Sequence, residues 1–379
     1  MTSLPSRRRL LATGAGAALS LGALGATASP ASAAPAKSAT GSRSEETRTL
    51  DELYQDALAE GGKLVVYAGG DLANSGSGAS ARTAFRARFP EIDLQLIVDY
   101  SKYHDARIDN QFATDTLVPD VVQLQTLQDF TRWKHEGRLL HYKPAGFSKL
   151  YKKFRDSDGA WISAAVIAFS YVYDIAAAGA NAPQSPLDLI DPRWKGKVAS
   201  SYPHDDDAVL YLYALYAEKY GWDWMAALAA QQPQFARGSF SPSTAINNKT
   251  AVVGLGTGGN ATATSGIRMG LPDEHPFMAW GQRLAIFKQA ANPTAAKLFL
   301  NWQISTERQT SSSWSVRTDI PAPAGLRPVW EYANANVDGF PHFMEDRAKV
   351  ERLKQTFALY FGEVKGDPTP GWPGLHPGA

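Results

Sequence analysis

The sequence predicts an α/β protein made of two lobes, each a mainly parallel sheet with helices on both faces. Three observations predict it. Short apolar runs bounded by glycine or proline alternate with segments of helical apolar spacing, and the loops between them are short, the pattern of β-α-β units. The chain has 379 residues, 44% hydrophobic and 20% charged, ordinary values for a folded globular protein. Once a leader is set aside, about 340 residues remain, enough for two domains at ~150 residues each.

The leader comes first because targeting segments do not belong to a fold. Ser6-Arg7-Arg8-Arg9-Leu10-Leu11 is a twin-arginine cluster. A weakly apolar Ala/Leu/Gly stretch from Leu10 to Ala26 follows, and then the small-residue pattern Ala31-Ser32-Ala33. Residues 1–33 are therefore expected to be a cleavable signal of the twin-arginine route, which places the mature chain outside the cytoplasm, secreted or periplasmic. The apolar run is broken by glycine and short against the ~20 residues of a membrane span. Residues 34–46 show no apolar period and are expected to be a flexible leader.

The fold is expected to begin near Leu50. Leu53, Ala57 and Leu58 have helical spacing, and Gly61-Gly62 stops that helix; Leu64–Tyr67 is then a short buried strand ending at Gly69-Gly70. A helix through Ala81, Phe85 and Phe89 ends at Pro90 and feeds the strand Leu94–Val98. Another, from about Tyr103 to Ala113, leads to the strand Asp120–Leu124, and a helix through Leu127, Phe130 and Trp133 ends at Gly137. The apolar and aromatic stretch Trp161–Tyr173 is long enough to cross from one lobe to the other.

The second lobe opens with the turn-rich Asp191–Lys197 and the strand Val198–Ser200, followed by a helix over Ala208–Tyr220 that Gly221 stops. Val252–Gly256 is its last strand, Leu284–Phe287 a return strand, and Asn292-Pro293 starts a helix carrying Leu298, Phe299 and Trp302. His342–Phe361 has the pattern of an amphipathic packing helix, and Pro368–Ala379 that of a loose tail. The expected division is 47–163 with 285–379 in lobe 1 and 164–284 in lobe 2. Two crossings make a hinge, and a hinge over a cleft can close around a ligand.

Composition and motif content narrow the function. There is no cysteine, which excludes disulfides, thiolate metal sites, a cysteine nucleophile and a lipid-modified cysteine. Lys+Arg 38 against Asp+Glu 37 gives no basic excess for nucleic acid. Every apolar run beyond Leu53 is interrupted, so no membrane span is expected in the mature chain. No G-x-S-x-G elbow, H-E-x-x-H pair or phosphate-binding Walker loop is present, and a cofactor is not expected. A secreted hydrolase or lyase, or a secreted protein used for interaction alone, remains the alternative to a binding protein.

In open α/β sheets ligands sit beyond the carboxyl ends of strands. Gly70 and Asp71 follow the first strand, and Ser77 lies in a Ser/Gly run before a helix, whose free N–H groups favour an anion. Tyr103 and His104 follow the second strand, where hydroxyl and imidazole suit a polar ligand or a metal; Gln125 ends the third. Tyr202, His204 and Asp205 stand in the polar run Ser200–Asp207, which could hold a hard cation or form an acidic first helical turn with Asp205 as cap. Thr257 lies in Gly256-Thr257-Gly258-Gly259-Asn260, able to wrap a small oxyanion, and Trp280 could wall an organic ligand. Whether a metal binds is left open by these residues.

Several motifs, taken in order, resemble a known family. Pro119-Asp120-Val121-Val122 with Glu136-Gly137-Arg138-Leu139, Trp194-Lys195-Gly196-Lys197-Val198-Ala199, Tyr220-Gly221-Trp222-Asp223-Trp224, Pro233-Gln234-Phe235, Gly238-Ser239, and Asn292–Phe299 with Ser305, Glu307 and Gln309 resemble the extracellular solute-binding proteins of ABC importers. The branch they look like is the type 2 periplasmic-binding fold of ferric-iron-binding proteins, over about Leu50–Arg317. The resemblance implies capture of a small molecule or ion by lobe closure, a membrane permease as partner, and a monomer. Iron-binding members carry two adjacent tyrosines in the second lobe. This sequence has no Tyr-Tyr pair, and its corresponding stretch is the glycine-rich one around Thr257, so phenolate ligation of iron is not implied.

Overall fold

The computed structural model describes residues 44–74, 76–310 and 314–367. The expected signal, most of the leader and the tail 368–379 lie outside the described residues. In the first part of the chain α1 (Leu50–Glu60) leads to β1 (Lys63–Gly69), α2 (Gly76–Arg88) to β2 (Asp93–Asp99), and α3 (Ser101–Thr114) to β3 (Val121–Leu124), followed by α4 (Leu127–His135). The long β4 (Ile162–Asp174) comes next, then α5 (Ile175–Ala178), β5 (Val198–Ser201), α6 (Asp207–Ala230), β6 (Gln234–Ala236), α7 (Ser241–Asn247), β7 (Val253–Thr257) and β8 (Ile267–Met269). The chain finishes with β9 (Met278–Ile286), α8 (Pro293–Gln303), α9 (Thr306–Thr310), α10 (Gly339–Glu345) and α11 (Arg347–Phe361).

Local chemistry explains most of these boundaries. Thr49 and Glu52 form a reciprocal capping box on α1, and Gly61 ends it at φ 129°, a conformation that favours glycine. Pro293 opens α8 at a position where its missing N–H costs nothing. The helix expected to stop at Gly221 does leave helical geometry there, at φ 81° and ψ 170°, but a second helical stretch resumes at once, and α6 extends to Ala230. The expected single helix over His342–Phe361 is two, broken at Asp346, whose side chain caps α11 by accepting from Lys349 N.

The strands form a mixed sheet in the order β2-β1-β3-β9-β4-β7-β5-β6, with β8 on β4. One parallel trio, β2, β1 and β3, holds the first half, and another, β7, β5 and β6, the second. Between them β9 and β4 run antiparallel, paired from Ile162–Leu284 to Phe169–Met278. The two crossings read from the sequence are therefore β4 and β9. The strands β6 and β8 have only three residues each and carry no usable periodicity.

Both faces are buried. Phe85, Phe89, Trp302 and Phe299 pack α2 and α8 over the first trio, and Trp133, Phe130 and Phe287 fill its other face. Leu210 to Tyr213 are all buried in succession, so α6 is apolar around most of its circumference and needs cover on more than one side. The covering element is α11, whose Val350 and Phe357 share a core with Tyr213. Of the C-terminal helices, grouped by sequence with the first lobe, α11 lies on α6 in the second half, while α10 packs against both α4 and α6. Among the described residues no helix is long and apolar enough to cross a membrane.

Candidate functional site

The carboxyl ends of both parallel trios open onto one cavity of about 780 Å³. From the first half it is lined by Gly69–Asp71 after β1, Ser77 and Gly78 at the start of α2, Tyr100–Lys102 after β2, and Gln123 and Gln125 at the end of β3. The second half supplies Asp205–Asp207 between β5 and α6, Gly238–Phe240 before α7, and Thr257–Gly259 after β7. The crossing strands form the floor through Ala164–Ile167 and Gln282, with Gln303 and Arg308 beside them.

Polar contacts join the two sides. The Asp71 carboxylate accepts from Ser239 Oγ and Phe240 N, both at 3.1 Å. Lys102 Nζ donates to Asp205 Oδ1 at 2.5 Å and to its carbonyl at 2.7 Å, and Arg237 stands 3.7 Å from the other Asp205 oxygen. Gly238 carries φ 84°, and a Cβ there would stand 2.8 Å from the Asp71 carboxylate, so this close approach requires glycine.

The floor is a set of amides whose orientations are held. Gln303 Nε2 donates to Gln123 Oε1 at 3.2 Å, and Trp280 Nε1 donates to Gln282 Oε1 at 3.0 Å. Gln309 donates to the carbonyls of Ala164 and Gln303 and accepts from Ser315 Oγ and Val316 N, which ties α9 to β4. Fixed amides of this kind orient a polar ligand without a cost in side-chain ordering.

Electrostatically the cavity is dominated by carboxylates. Asp206 is the N-cap of α6 and accepts from Ala208 N at 2.8 Å and Val209 N at 3.0 Å. Burial pushes its carboxyl up to about 6, and the charges of Asp71 and Asp207 add to the rise. Burial likewise raises Asp71 against the hydrogen bonds from Phe240 and Ser239. Tyr100 is raised by burial and by the charges of Asp71 and Asp205, and stays a neutral phenol. No three acidic or histidine side chains among the described residues are grouped to hold a metal ion.

Gly70, Asp71, Ser77, Gln125, Asp205 and Thr257, named from the sequence, all line this cavity. Four others do not. His104 is fully buried, stacks on Tyr67 at 4.5 Å between ring centres, and places Nε2 3.2 Å from the carbonyl of Ile97. Burial lowers it to about 3, so it is a neutral core residue. Because α3 begins at Ser101, Tyr103 and His104 are already turned by the helix; Tyr103 ends at the rim with its hydroxyl 3.3 Å from Arg237 Nη1. Tyr202 is buried and stacked on Phe235, and His204 turns away to the carbonyl of Gly362 at 2.8 Å.

Trp280 also contributes to the lining, but its side chain has no exposed surface and packs on Phe169 and Phe340, behind the wall. The cap of α6 is Asp206, one residue after the one expected. Sequence reasoning missed Tyr100, Lys102 and Asp206, neighbours of residues it chose. It also missed Gln282, Gln303 and Arg308, which no strand-end rule reaches.

Comparison with known proteins places this geometry. Residues 110–256 match the family model described as bacterial extracellular solute-binding protein. Iron-bound HitA from Pseudomonas aeruginosa superposes with a TM-score of 0.61 at 18% identity, over 78% of this chain and 99% of that one. AfuA from Actinobacillus pleuropneumoniae, with fructose-6-phosphate bound, gives 0.62 at 17% over 79% and 99%. The ferric binding protein from Campylobacter jejuni gives 0.53 at 14% over 79% and 98%. No curated protein matches the sequence. The fold is that of the type 2 periplasmic binding proteins.

Proposed function

We propose, from the premise of a solute-binding family match over residues 110–256 and a type 2 periplasmic-binding fold, that this protein captures a small polar solute and hands it to an ABC importer. The observation that carries this reading is the cavity of about 780 Å³ whose two walls belong to opposite ends of the crossing strands. The solute touches both walls, so it favours the closed arrangement over an open one by the interactions that only closure provides. The lining offers hydroxyls, amides, carboxylates and the cations Lys102 and Arg308, a set suited to holding a polar solute. The protein works as an exported monomer, released from a twin-arginine signal.

Two solved neighbours are described with iron and with fructose-6-phosphate. The stretch after β7 offers Thr257-Gly258-Gly259 and no paired tyrosines, which disfavours iron held by phenolates.

The reading is tested by native mass spectrometry of gently purified protein against its denatured mass. One discrete adduct, lost on denaturation, is expected. Catalytic turnover of added solutes with no stoichiometric adduct contradicts it. A second expectation concerns the latch across the cleft. Lys102→Ala removes both bonds to Asp205 and lowers solute affinity about tenfold, equivalent to about 1.4 kcal/mol, with an unchanged thermal transition. An unchanged affinity, measured by calorimetry, would show that Lys102 plays no part in closure.

A further inference from the structure

The carboxylates of the cavity fall into two kinds. Asp205 is paired with Lys102 at 2.5 Å, and Asp207 with Lys354 of α11 at 3.1 Å. Asp71 and Asp206 have no lysine, arginine or histidine within ion-pair distance among the described residues, although both line the cavity and come from opposite halves. Their bonds are to neutral donors: Ser239 Oγ and Phe240 N for Asp71, and the first N–H groups of α6 for Asp206. The two charges also oppose each other, since Asp71 is among the groups that raise Asp206.

Two like charges on the walls of one partly dehydrated cavity repel each other when the walls approach. That repulsion works against the bonds by which Asp71 already joins Ser239 and Phe240 across the cleft, and a positive charge entering between the two carboxylates relieves it. We infer that the solute is an organic cation with a protonated primary or secondary amine, seated between Asp71 and Asp206. This rests on the proposed capture of a solute in the cleft. An ammonium brings several N–H donors and no acceptor, which matches carboxylates that already spend bonds on backbone donors. The Tyr100 ring near these carboxylates already has the Lys102 ammonium 5.7 Å from its centre, which shows that the ring and the carboxylates together accept a cation. A hard metal cation fits less well, because no third acidic or histidine ligand is grouped with these two among the described residues.

The test uses the whole exported chain, dialysed exhaustively and then incubated at neutral pH with four separate mixtures. They contain primary amines and polyamines, sugars and polyols, carboxylates and phosphate esters, and ferric citrate; native mass spectrometry reads the adducts. An adduct from the amine mixture is expected, and its apparent affinity falls at least tenfold in both Asp71→Asn and Asp206→Asn. Asparagine keeps the cap of α6, so the second variant stays folded, which circular dichroism checks. An adduct from the sugar, acid or iron mixture with none from the amines overturns the cation and leaves solute capture standing. An amine adduct indifferent to both substitutions overturns its placement. No adduct from any mixture overturns capture, and the cation with it.

Discussion

Trp280→Ala lowers stability by about 3–5 kcal/mol, the range for removing a large aromatic from a closed core. Trp280 sits on β9, one of the two crossing strands, with no exposed surface; its ring meets Phe169 of β4 edge-on at 5.1 Å and Phe340 of α10 at 5.5 Å. Its indole N–H also holds Gln282 in place at 3.0 Å, so the substitution leaves a cavity and releases an amide on the cleft floor. Solute affinity should fall together with stability. Trp280→Phe, which keeps most of the volume but loses that bond, should cost about 1–2 kcal/mol. Urea denaturation with an unchanged slope measures both. A loss under 1 kcal/mol for the alanine variant would mean that Trp280 is a wall of the cleft and not part of the core between the strands.

The opposite sign is expected at Asp206. Its carboxyl is held up at about 6 in the folded protein against an ordinary value of 3.8, so the folded state binds the proton more tightly than the unfolded chain. That contribution to stability is fully present below pH 3.8 and is lost as pH rises through about 6. Around the group stand Asp71 on the β1 loop, Asp205 and Asp207 beside it, Tyr100 after β2, and the cations Lys102, Arg237 and Lys354 that serve Asp205 and Asp207. Water in the cavity screens part of the charge, so Asp206→Asn is expected to stabilise the solute-free protein by about 1–2 kcal/mol above pH 7. The gain should fade toward pH 4. A site that gives up stability for binding behaves this way. Equal stability of the two proteins at pH 7.5, or a gain that grows toward acid pH, would contradict the burial of this charge.

The architecture was largely legible because its signals are local and redundant. Leu64–Tyr67, Leu94–Val98, Val198–Ser200 and Val252–Gly256 are apolar runs closed by glycine or a polar turn, and each is a strand. The 13-residue β4 was visible as an unusually long apolar stretch, and with the return strand it announced two crossings. The cover of α6 by α11 was not visible, because α6 is apolar nearly all round and sequence does not say which of its faces meets the narrow apolar stripe of α11. At the cleft, the loops were found but the side chains within them often were not. One residue of helical phase separates Lys102, which reaches Asp205 across the cleft, from Tyr103 at the rim, and two separate it from His104, buried against Tyr67. Asp206 was hidden by its neighbours in the same way. Gln303 and Arg308 reach the cavity from helices that follow the second crossing, a placement that only the tertiary fold creates.

The claim that a solute closes the two halves can be tested with two introduced cysteines alone, since the chain has no cysteine of its own. Thr83 on α2 and Thr244 on α7 are exposed and lie on opposite sides of the cleft, so cysteines placed there accept spin labels. Pulsed dipolar spectroscopy would compare protein carrying its co-purified solute with the same protein after exhaustive dialysis. A single short distance with solute, giving way to a longer and broader distribution without it, is the predicted result. One unchanged distribution in both states, with the adduct confirmed by mass, would contradict closure around the solute.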